Sequence, residues 1–290
     1  MSKPRVAILG LGIMGSGMAG RLLSAGFPVT LYNRNREKAA QFAGAGAVVA
    51  STPREAASDA DIVISIVADD VASRAVWLGE QGALAGATPG SVLIESSTLT
   101  VAWVLELAKA AAQKGCPFLD APVTGTKPHA ASGQLLFLVG GPAAALETAR
   151  PVFAVTGRDI VHLGANGNGA RLKLINNFLC AVQAASLAEA SAMIDRGGLD
   201  QEKALSVLTN GAPGSPVLKT ISARAVANDP EVNFVLRLMA KDISYAIEDA
   251  ASNNVTLETG ASALSVFKRA ISKGHGEEDM SAVVKSMRKD

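Results

Sequence analysis

The sequence of 290 residues predicts an α/β fold in which a doubly wound, mostly parallel sheet is followed by an all-helical domain. Three observations support this prediction. Up to about residue 163, short runs typical of buried strands alternate with helix signals, as in parallel sheets covered by helices. A glycine cluster follows the first of these runs directly. After Gly164 the strand signals stop, so we expect two domains, at 1–164 and 165–290.

Six apolar runs in the first domain are predicted as buried strands. They lie at 5–10, 28–32, 61–67, 91–96, 116–122 and 135–141. Start signals mark two of the helices between them. Thr52 is a cap candidate, with Pro53 at the first helical position and Glu55 in the first turn. Thr100 is the cap candidate of a second helix, which runs to Gly115.

One long helical pattern opens the second domain, from Ala170 to about Arg196. Its many small residues permit close helix contacts, so we expect it to be buried along much of its length. Because two domains of this size can bury only part of such a surface, the helix also indicates a homodimer or homotetramer. Further helices are predicted at 201–210, 216–228, 234–253 and 259–273, with a short tail helix near 280–289.

Composition and charge argue against several classes of function. A net charge of +1 and an aromatic content of 4% predict no nucleic-acid partner. The longest uncharged window, 128–146, is broken by glycine and proline, so no membrane span is expected there. The three histidines are scattered and predict no metal site. Cys116 and Cys180 lie in apolar contexts and indicate a reducing, cytoplasmic location.

The first glycine cluster indicates that the chain binds a dinucleotide. Its glycines form the pattern G-x-G-x-x-G between a strand and a helix. The first glycine allows a tight turn, the second lets the backbone approach a pyrophosphate, and the third permits close helix–strand packing. The N–H groups at the helix start then point towards the phosphate. The loop predicted to bind the cofactor consists of Gly10, Leu11, Gly12, Ile13, Met14 and Gly15.

The end of the second strand favours NADP(H) over NAD(H). A NAD site usually has Asp or Glu here, roughly 20 residues on, to bind the ribose 2′-hydroxyl. This chain has Asn33 and Arg34 instead, and no acid before Glu37. The Arg34 guanidinium can bind a 2′-phosphate through charge-assisted hydrogen bonds, each worth ~1.5–3 kcal/mol. Arg36 and Lys38 are interpreted as ordinary solvated charges of the following helix.

Two later segments carry polar groups that suit a substrate. Thr124-Gly125-Thr126 offers N–H groups and hydroxyls to a carboxylate, but the same residues also suit a structural turn, and the sequence leaves both open. Lys173 and Asn177 lie four residues apart in an apolar helical run, which stacks them on one face. Lys173 is either a helical lysine with its ammonium in water or an acid–base group whose pKa desolvation lowers.

The order of these motifs resembles the β-hydroxyacid dehydrogenase family over essentially the whole chain. The motifs concerned are the glycine fingerprint, the Asp-Ala-Pro-Val-Thr-Gly segment with Gly133, the spacing of Gly169, Lys173 and Asn177, and the pair Lys241-Asp242. The resemblance implies a Rossmann-type first domain and an all-α second domain like that of 6-phosphogluconate dehydrogenase. It implies a nicotinamide dinucleotide as cofactor and a small carboxylate-bearing aldehyde or hydroxy acid as substrate.

The resemblance also implies roles for single residues. Lys173 matches the catalytic lysine, and Asn177 binds substrate beside it. The loop Thr124, Gly125 and Thr126 holds the substrate carboxylate. The further cofactor contacts that it implies are Val67, Ala68, Thr98 and Lys241, besides the glycine loop, Asn33 and Arg34. For Lys241 the plain alternative is an exposed helix lysine paired with Asp242 or Tyr245.

One departure from the commoner family pattern bears on the substrate. The usual loop is Ser-Gly-Gly, whereas Thr124-Gly125-Thr126-Lys127 is similar to the loop of glyoxylate/succinic semialdehyde reductases. We therefore expect NADPH-dependent, reversible reduction of small aldehyde or keto acids, with Lys173 exchanging the proton. The alternatives are a 3-hydroxyisobutyrate or related β-hydroxyacid dehydrogenase and, more remotely, a non-catalytic NADP-binding regulatory module. Imine reductases share the architecture but, as a group, lack the lysine.

Overall fold

The computed structural model describes residues 3–287, and the chain divides into two compact units, 1–173 and 174–290. Each unit has its own apolar core. The domain boundary expected from the sequence, between residues 164 and 165, falls shortly before this division and stays a prediction.

The first unit is organised around a six-stranded sheet in which every neighbouring pair is parallel. Its strands are β1 (Val6–Leu9), β2 (Val29–Tyr32), β3 (Val48–Val49), β4 (Ile62–Ser65), β5 (Val92–Glu95) and β6 (Phe118–Asp120). They lie in the order β3-β2-β1-β4-β5-β6, so the predicted doubly wound sheet is confirmed. The strand order reverses between β1 and β4, and such sheets bind ligands at the carboxyl ends of the strands at that point.

Helices cover this sheet and supply the rest of its core. They are α1 (Ile13–Ser24), α2 (Arg36–Ala40), α3 (Pro53–Ala57), α4 (Asp70–Trp77), α5 (Ala83–Gly86), α6 (Val101–Gln113), α7 (Lys127–Ser132) and α8 (Ala143–Thr156), with a 3-10 turn at Ala43–Ala45. Both predicted start signals are confirmed. Thr52 Oγ1 accepts a hydrogen bond from Glu55 N–H at 3.0 Å, and Thr100 Oγ1 accepts one from Trp103 N–H at 3.2 Å.

A second, three-stranded sheet follows, and the sequence predicted it only in part. It consists of β7 (Val123–Thr124), β8 (Leu135–Val139) and β9 (Gly157–His162). Strand β8 pairs antiparallel with β7 and parallel with β9. The run predicted at 135–141 is therefore a strand, but it lies in this small sheet and not in the main one. The reason is that the chain leaves β6 directly into β7, which takes β8 as its hydrogen-bonding partner.

In the described part of the second unit the regular elements are helices, and one isolated β-bridge joins Val235 and Asp279. Helix α9 (Asn168–Arg196) begins in the first unit and continues into the second, where it is followed by α10 (Gln201–Asn210), α11 (Pro216–Ala227), α12 (Leu236–Ser252) and α13 (Glu258–Ala270). Two details correct the sequence prediction. After Ala270 the chain forms a π-helical turn, Ile271–His275, and the tail segment Met280–Met287 is a 3-10 helix. Residues 288 and 289 of the predicted tail helix lie outside the described residues.

Helix α9 is buried along one side only. Its small residues Ala181, Ala184 and Ala188 are buried in the core of the second unit, as expected. By length and composition α9 is long and apolar enough to cross a membrane, and 44% of its most apolar window is buried. A core helix of a soluble protein passes the same test, so this is weak evidence for a membrane span.

Candidate active site

The three glycines of the first loop differ in what a side chain at each position would contact. Gly10 has a φ of +107°, and a Cβ there would lie 2.3 Å from the carbonyl oxygen of Ile66. A Cβ on Gly15 would lie 2.1 Å from the carbonyl oxygen of Gly10. A Cβ on Gly12 would meet nothing within 4 Å among the described residues, so the space over Gly12 is open. Because Gly12 also precedes the first turn of α1, this loop fits the pyrophosphate of a dinucleotide.

The end of β2 is joined to the glycine loop through Asn33. Its Oδ1 accepts a hydrogen bond from Leu11 N–H at 2.9 Å, and its Nδ2 donates to the carbonyl oxygen of Asn35 at 2.8 Å. Both ends of the amide are therefore used to brace the backbone. Arg34, next in sequence, is exposed, as is Arg36 at the start of α2.

Val67 and Ala68, predicted to contact the cofactor, belong to residues 66–68, which follow β4 and lead towards α4. The backbone N–H of Val67 donates to Ser97 Oγ at 2.7 Å, and the side chain of Val67 lies close to Gly10. Ala68 is exposed, while Thr98, the residue after Ser97, is half-buried. The first unit therefore brings the glycine loop, residues 66–68 and the segment after β5 together at the carboxyl ends of its central strands.

Glu95, at the end of β5, is a buried acid of this region that the sequence analysis did not single out. It is fully buried, and it accepts hydrogen bonds from Ser73 Oγ at 2.6 Å, Trp77 Nε1 at 2.8 Å and Ser97 N–H at 2.9 Å. Burial raises the pKa of this carboxyl above its usual value, against the lowering effect of those hydrogen bonds. The signal that could have revealed it is an acid at the end of a continuous apolar strand.

The Thr124-Gly125-Thr126 loop joins β7 to α7. Gly125 has a φ of +141°, and a Cβ there would lie 2.9 Å from a methyl carbon of Leu135. The N–H of Thr126 donates to His129 Nδ1 at 3.1 Å, and the Thr126 hydroxyl lies 2.7 Å from the same nitrogen. The loop therefore makes the contacts of a structural turn, while its part in binding a carboxylate stays a prediction.

The helix after this loop packs closely on the helix after the glycine loop. A Cβ on Gly17 of α1 would lie 2.7 Å from Cβ of Ala130 on α7. This close approach fixes α7, and the loop before it, against the helix that begins at the glycine loop.

Lys173 lies one turn into α9, and the start of that helix is held by a buried acid on β6. Asp120 Oδ1 accepts from Gly167 N–H and Oδ2 accepts from Ala170 N–H, each at 2.9 Å. These are N–H groups that a helix start leaves without intrahelical partners. A Cβ on Gly169 would lie 2.3 Å from the carbonyl oxygen of Leu138, so the helix start has no room for a side chain. Burial raises the pKa of Asp120 above its usual value.

Two predicted residues of the second unit, Asn177 and Lys241, both contact the side chain of Asp242. Asn177 Nδ2 donates to Asp242 Oδ2 at 2.5 Å, and Lys241 Nζ lies 2.9 Å from Asp242 Oδ1. Asp242 is 1% exposed, and Lys241 also lies 4.8 Å from the centre of the Tyr245 ring. Lys241 thus contacts both Asp242 and Tyr245, as expected of an ordinary helix lysine. Its side chain is only 16% exposed, however, whereas that alternative expected an exposed lysine. A buried carboxylate between an amide and an ammonium fixes the orientation of both.

The predicted site residues are divided between the two units. Lys173 is the last residue of the first unit, and Asn177 and Lys241 belong to the second. The first unit also holds the other predicted site residues, which are the glycine loop, Asn33, Arg34, Val67, Ala68, Thr98 and Thr124–Thr126. Among residues 3–287 there is no group of three or more His, Cys, Asp or Glu side chains that could hold a metal ion.

Comparison with known proteins decides the family. One family model, the NAD binding domain of 6-phosphogluconate dehydrogenase, matches residues 5–164, and another, the NAD-binding domain of NADP-dependent 3-hydroxyisobutyrate dehydrogenase, matches residues 167–287. The NAD-dependent L-serine dehydrogenase of Pseudomonas aeruginosa is 34% identical over 288 residues, with 97% of each chain covered. The chain belongs to the β-hydroxyacid dehydrogenase family.

Other members of the β-hydroxyacid dehydrogenase family are similarly close. Glyoxylate/succinic semialdehyde reductase 2 of Arabidopsis thaliana is 33% identical, with 98% of this chain and 79% of that protein covered. A crystal structure of 3-hydroxyisobutyrate dehydrogenase from Salmonella typhimurium matches with a TM-score of 0.89 at 30% identity, covering 98% of this chain and 99% of that one. This dehydrogenase therefore has the predicted fold, binds a nicotinamide dinucleotide and is an oxidoreductase of hydroxy acids.

Proposed function

We propose that this β-hydroxyacid dehydrogenase uses NADPH to reduce small aldehyde or keto acids, of the succinic semialdehyde or glyoxylate class, to hydroxy acids in a reversible reaction. The main support for the proposal comes from the residues at the end of β2. Asn33 stands where a NAD site usually has an acid, and both ends of its amide brace the backbone. Arg34 beside it is exposed, and its guanidinium can bind a 2′-phosphate.

The substrate class is supported by the loop after β7. Its sequence, Thr124-Gly125-Thr126, departs from the common Ser-Gly-Gly, and a relative at 33% identity is named a glyoxylate/succinic semialdehyde reductase. The two hydroxyls and the N–H groups of the loop can bind a substrate carboxylate. The Thr126 N–H would then exchange its bond with His129 for one with the substrate.

In this proposal Lys173 is the acid–base group. When bound, the cofactor supplies the hydride to the carbonyl carbon, or accepts it in the reverse direction. As an ammonium, Lys173 donates its proton to the substrate oxygen, so that the carbonyl becomes an alcohol, and as an amine it takes that proton back. Asn177, one helical turn further on and held by Asp242, orients the substrate oxygen or the lysine. Lys241, Thr98, Val67 and Ala68 contact the cofactor.

A second candidate is a 3-hydroxyisobutyrate or related β-hydroxyacid dehydrogenase. The names of relatives support it: the mitochondrial 3-hydroxyisobutyrate dehydrogenase of Rattus norvegicus is 34% identical, with 100% of this chain covered. NAD as the cofactor is supported by the name of the Pseudomonas relative. The two candidates share their chemistry and differ in the substrate and cofactor that they prefer.

The test is a matrix of initial rates with NADPH and NADH. Each is combined with succinic semialdehyde, glyoxylate, methylmalonate semialdehyde and tartronate semialdehyde. We expect the highest kcat/KM with NADPH and one of the first two. In Arg34→Ala the KM for NADPH should rise about tenfold or more, because one charge-assisted interaction is lost, while the KM for NADH stays unchanged. Lys38→Ala, which removes another exposed charge from the same region, is the control. A preference for NADH in the wild-type enzyme would overturn the cofactor assignment.

Three further features belong to the same proposal. The Rossmann domain is taken to span 1–164 and the helical substrate and dimerisation domain 165–290. The enzyme is taken to be cytoplasmic, which is supported by Cys116 and Cys180, since neither of them is part of a disulfide. A homodimer or homotetramer is supported by two exposed apolar side chains of α9 that lie four residues apart, Ile175 and Leu179.

A further inference from the structure

The buried carboxyl group of Glu95 accepts hydrogen bonds from several neighbouring groups. Trp77 Nε1 and Ser97 N–H are obligate donors, and they reach different oxygens of the carboxyl group. Ser73 Oγ reaches Oε2 at 2.6 Å and itself accepts from Trp103 Nε1 at 2.9 Å. Because Ser73 accepts from an indole, its own proton is directed at Glu95. These bonds fix the carboxyl group in one orientation.

The same carboxyl group connects to the backbone of Val67. The hydroxyl of Ser97 is a further hydrogen-bond partner of Glu95, and this hydroxyl accepts the bond from Val67 N–H at 2.7 Å. Val67 in turn lies beside Gly10, whose carbonyl oxygen limits the room at Gly15. A chain of contacts therefore runs from a buried acid on β5, through Ser97, to residues 66–68 and the glycine loop.

The charged side chains near this network, Arg74, Asp70 and Asp120, form their hydrogen bonds and ion pairs with other groups. On α4, Arg74 lies 3.9 Å from the centre of the Trp103 ring and pairs with Glu106 on α6. Asp70 accepts from the N–H and hydroxyl of Thr100. On the neighbouring strand, Asp120 is held by the start of α9.

We propose that Glu95 is a positioning residue for the cofactor. Through the hydroxyl of Ser97 it fixes the backbone of Val67, and with it the segment 66–68 against which the bound dinucleotide lies. The inference rests on the proposed assignment of Val67 and Ala68 to the cofactor site. It does not depend on the substrate or on the preference for NADPH, since both dinucleotides would meet this segment.

The chain carries a reporter for this network. The sequence has 2 tryptophans, and both are part of it: Trp77 bonds Glu95 directly and Trp103 bonds it through Ser73. Tryptophan emission therefore reports on Glu95. Cofactor affinity, measured by calorimetry in the absence of substrate, reports separately on residues 66–68.

Three variants distinguish positioning from a merely structural role. Ser97→Ala removes the connection to Val67 and leaves the bond from Trp77 to Glu95 in place. Ser91→Ala is its matched control, because Ser91 lies at the other end of β5 and its buried hydroxyl bonds the carbonyl oxygen of Ala60 at 2.8 Å. In Glu95→Gln either orientation of the amide sets an NH₂ group against an N–H donor.

We expect Ser97→Ala to raise the Kd for NADPH and for NADH roughly five- to tenfold, the effect of one lost hydrogen bond, with tryptophan emission unchanged. Ser91→Ala should leave both readouts at wild-type values. Glu95→Gln should raise the Kd and also shift the emission. The inference is overturned if Ser97→Ala binds both dinucleotides as tightly as Ser91→Ala does. It is equally overturned if Glu95→Gln shifts the emission while its Kd stays at the wild-type value.

Discussion

Gly10, Gly12 and Gly15 belong to one sequence motif, but the space available for a side chain differs among the three positions. The protein itself excludes a side chain at Gly10 and Gly15, where a Cβ would collide with backbone oxygens. At Gly12 the protein leaves open space, so the fold does not exclude a side chain there, whereas the pyrophosphate in the proposed site would. The motif thus combines two glycines that the fold requires with one that the proposed cofactor site requires.

Gly12→Ala should separate these constraints. Because a Cβ at this position meets nothing within 4 Å, we expect the free energy of unfolding to stay within about 0.5 kcal/mol of wild type. The Kd for NADPH should rise at least tenfold, measured by calorimetry. Gly44→Ala, at another glycine with open space, should change neither quantity. Wild-type affinity in Gly12→Ala would contradict an approach of the pyrophosphate at this residue.

Lys173→Ala tests the residue on which the proposed chemistry depends. A positioned acid–base group typically contributes ~10²–10⁴ in rate, and kcat should fall by such a factor while the Kd for NADPH stays near wild type. Single-turnover rates of NADPH oxidation give the measurement. Lys203→Ala, which removes a lysine whose side chain is 86% exposed, serves as the control. A kcat near wild type in Lys173→Ala would remove this lysine as the acid–base group.

At the scale of secondary structure, elements with local signals were predictable and those without were not. Thr52 and Thr100 made the starts of their helices predictable. A capping side chain accepts a hydrogen bond from an N–H group two or three residues further on, so its signal lies within a short stretch of sequence. Strand β3 has two residues, and β9 contains Arg158 and Asp159 and is largely exposed, so neither shows an apolar run. The start of α9 is held by Asp120, which is distant in sequence, and a cap of this kind leaves no local pattern.

Gly169→Ala should disturb the start of α9. The added Cβ would lie 2.3 Å from a backbone oxygen of Leu138 and 2.9 Å from Asp120 Oδ2. We expect a loss of about 1–3 kcal/mol or more in the free energy of unfolding, and a lower kcat because Lys173 follows one turn later. Gly20→Ala, inside α1 with its nearest contact at 4.0 Å, should instead be neutral or stabilising by up to about 1 kcal/mol. Urea unfolding measures both, and equal effects would contradict the steric reasoning.

Stability should depend on pH through Glu95 at the end of β5. Its pKa in the folded protein is raised above the ordinary value of 4.5, so its contribution to stability is fully present below that pH and is lost as the pH rises through the folded pKa. Glu95→Gln cannot titrate. The free energy of unfolding of wild type relative to Glu95→Gln should therefore fall in urea titrations as the pH is raised above 4.5. A difference that is constant or grows over this range would show that the pKa is not raised.

At the scale of the whole molecule, the sequence predicted the two-part organisation and the family better than it predicted the supporting acids. Lys173, Asn177 and the glycine loop stand out because polar or glycine residues interrupt apolar runs. Glu95 and Asp120 each end a buried strand, where an acid looks like the beginning of a loop. Their burial and their partners come from distant segments, so their roles are visible only in the fold.

The proposed homodimer or homotetramer leads to a prediction of its own. Ile175, Leu179 and Met193 are 48%, 52% and 76% exposed on α9, an arrangement expected of a helix that packs against a second copy. Replacing both Ile175 and Leu179 with Glu should convert the oligomer to monomers, measured by light scattering. Val207→Glu, at an exposed apolar residue of α10, should leave the assembly unchanged. A monomeric wild type, or an oligomer that survives the double substitution, would contradict this interface.

Glu95 and Asp120 are direct neighbours in the pairing of β5 with β6. Two fully buried acids side by side would be the first positions that an engineer seeking a more heat-resistant variant would replace with apolar residues, since buried charge is costly. In this molecule Asp120 holds the start of the helix that carries Lys173, and Glu95 is proposed to hold the segment 66–68 of the cofactor site. Thermostabilisation at these two positions is therefore expected to reduce turnover, and variants intended for industrial use should be stabilised at the surface instead.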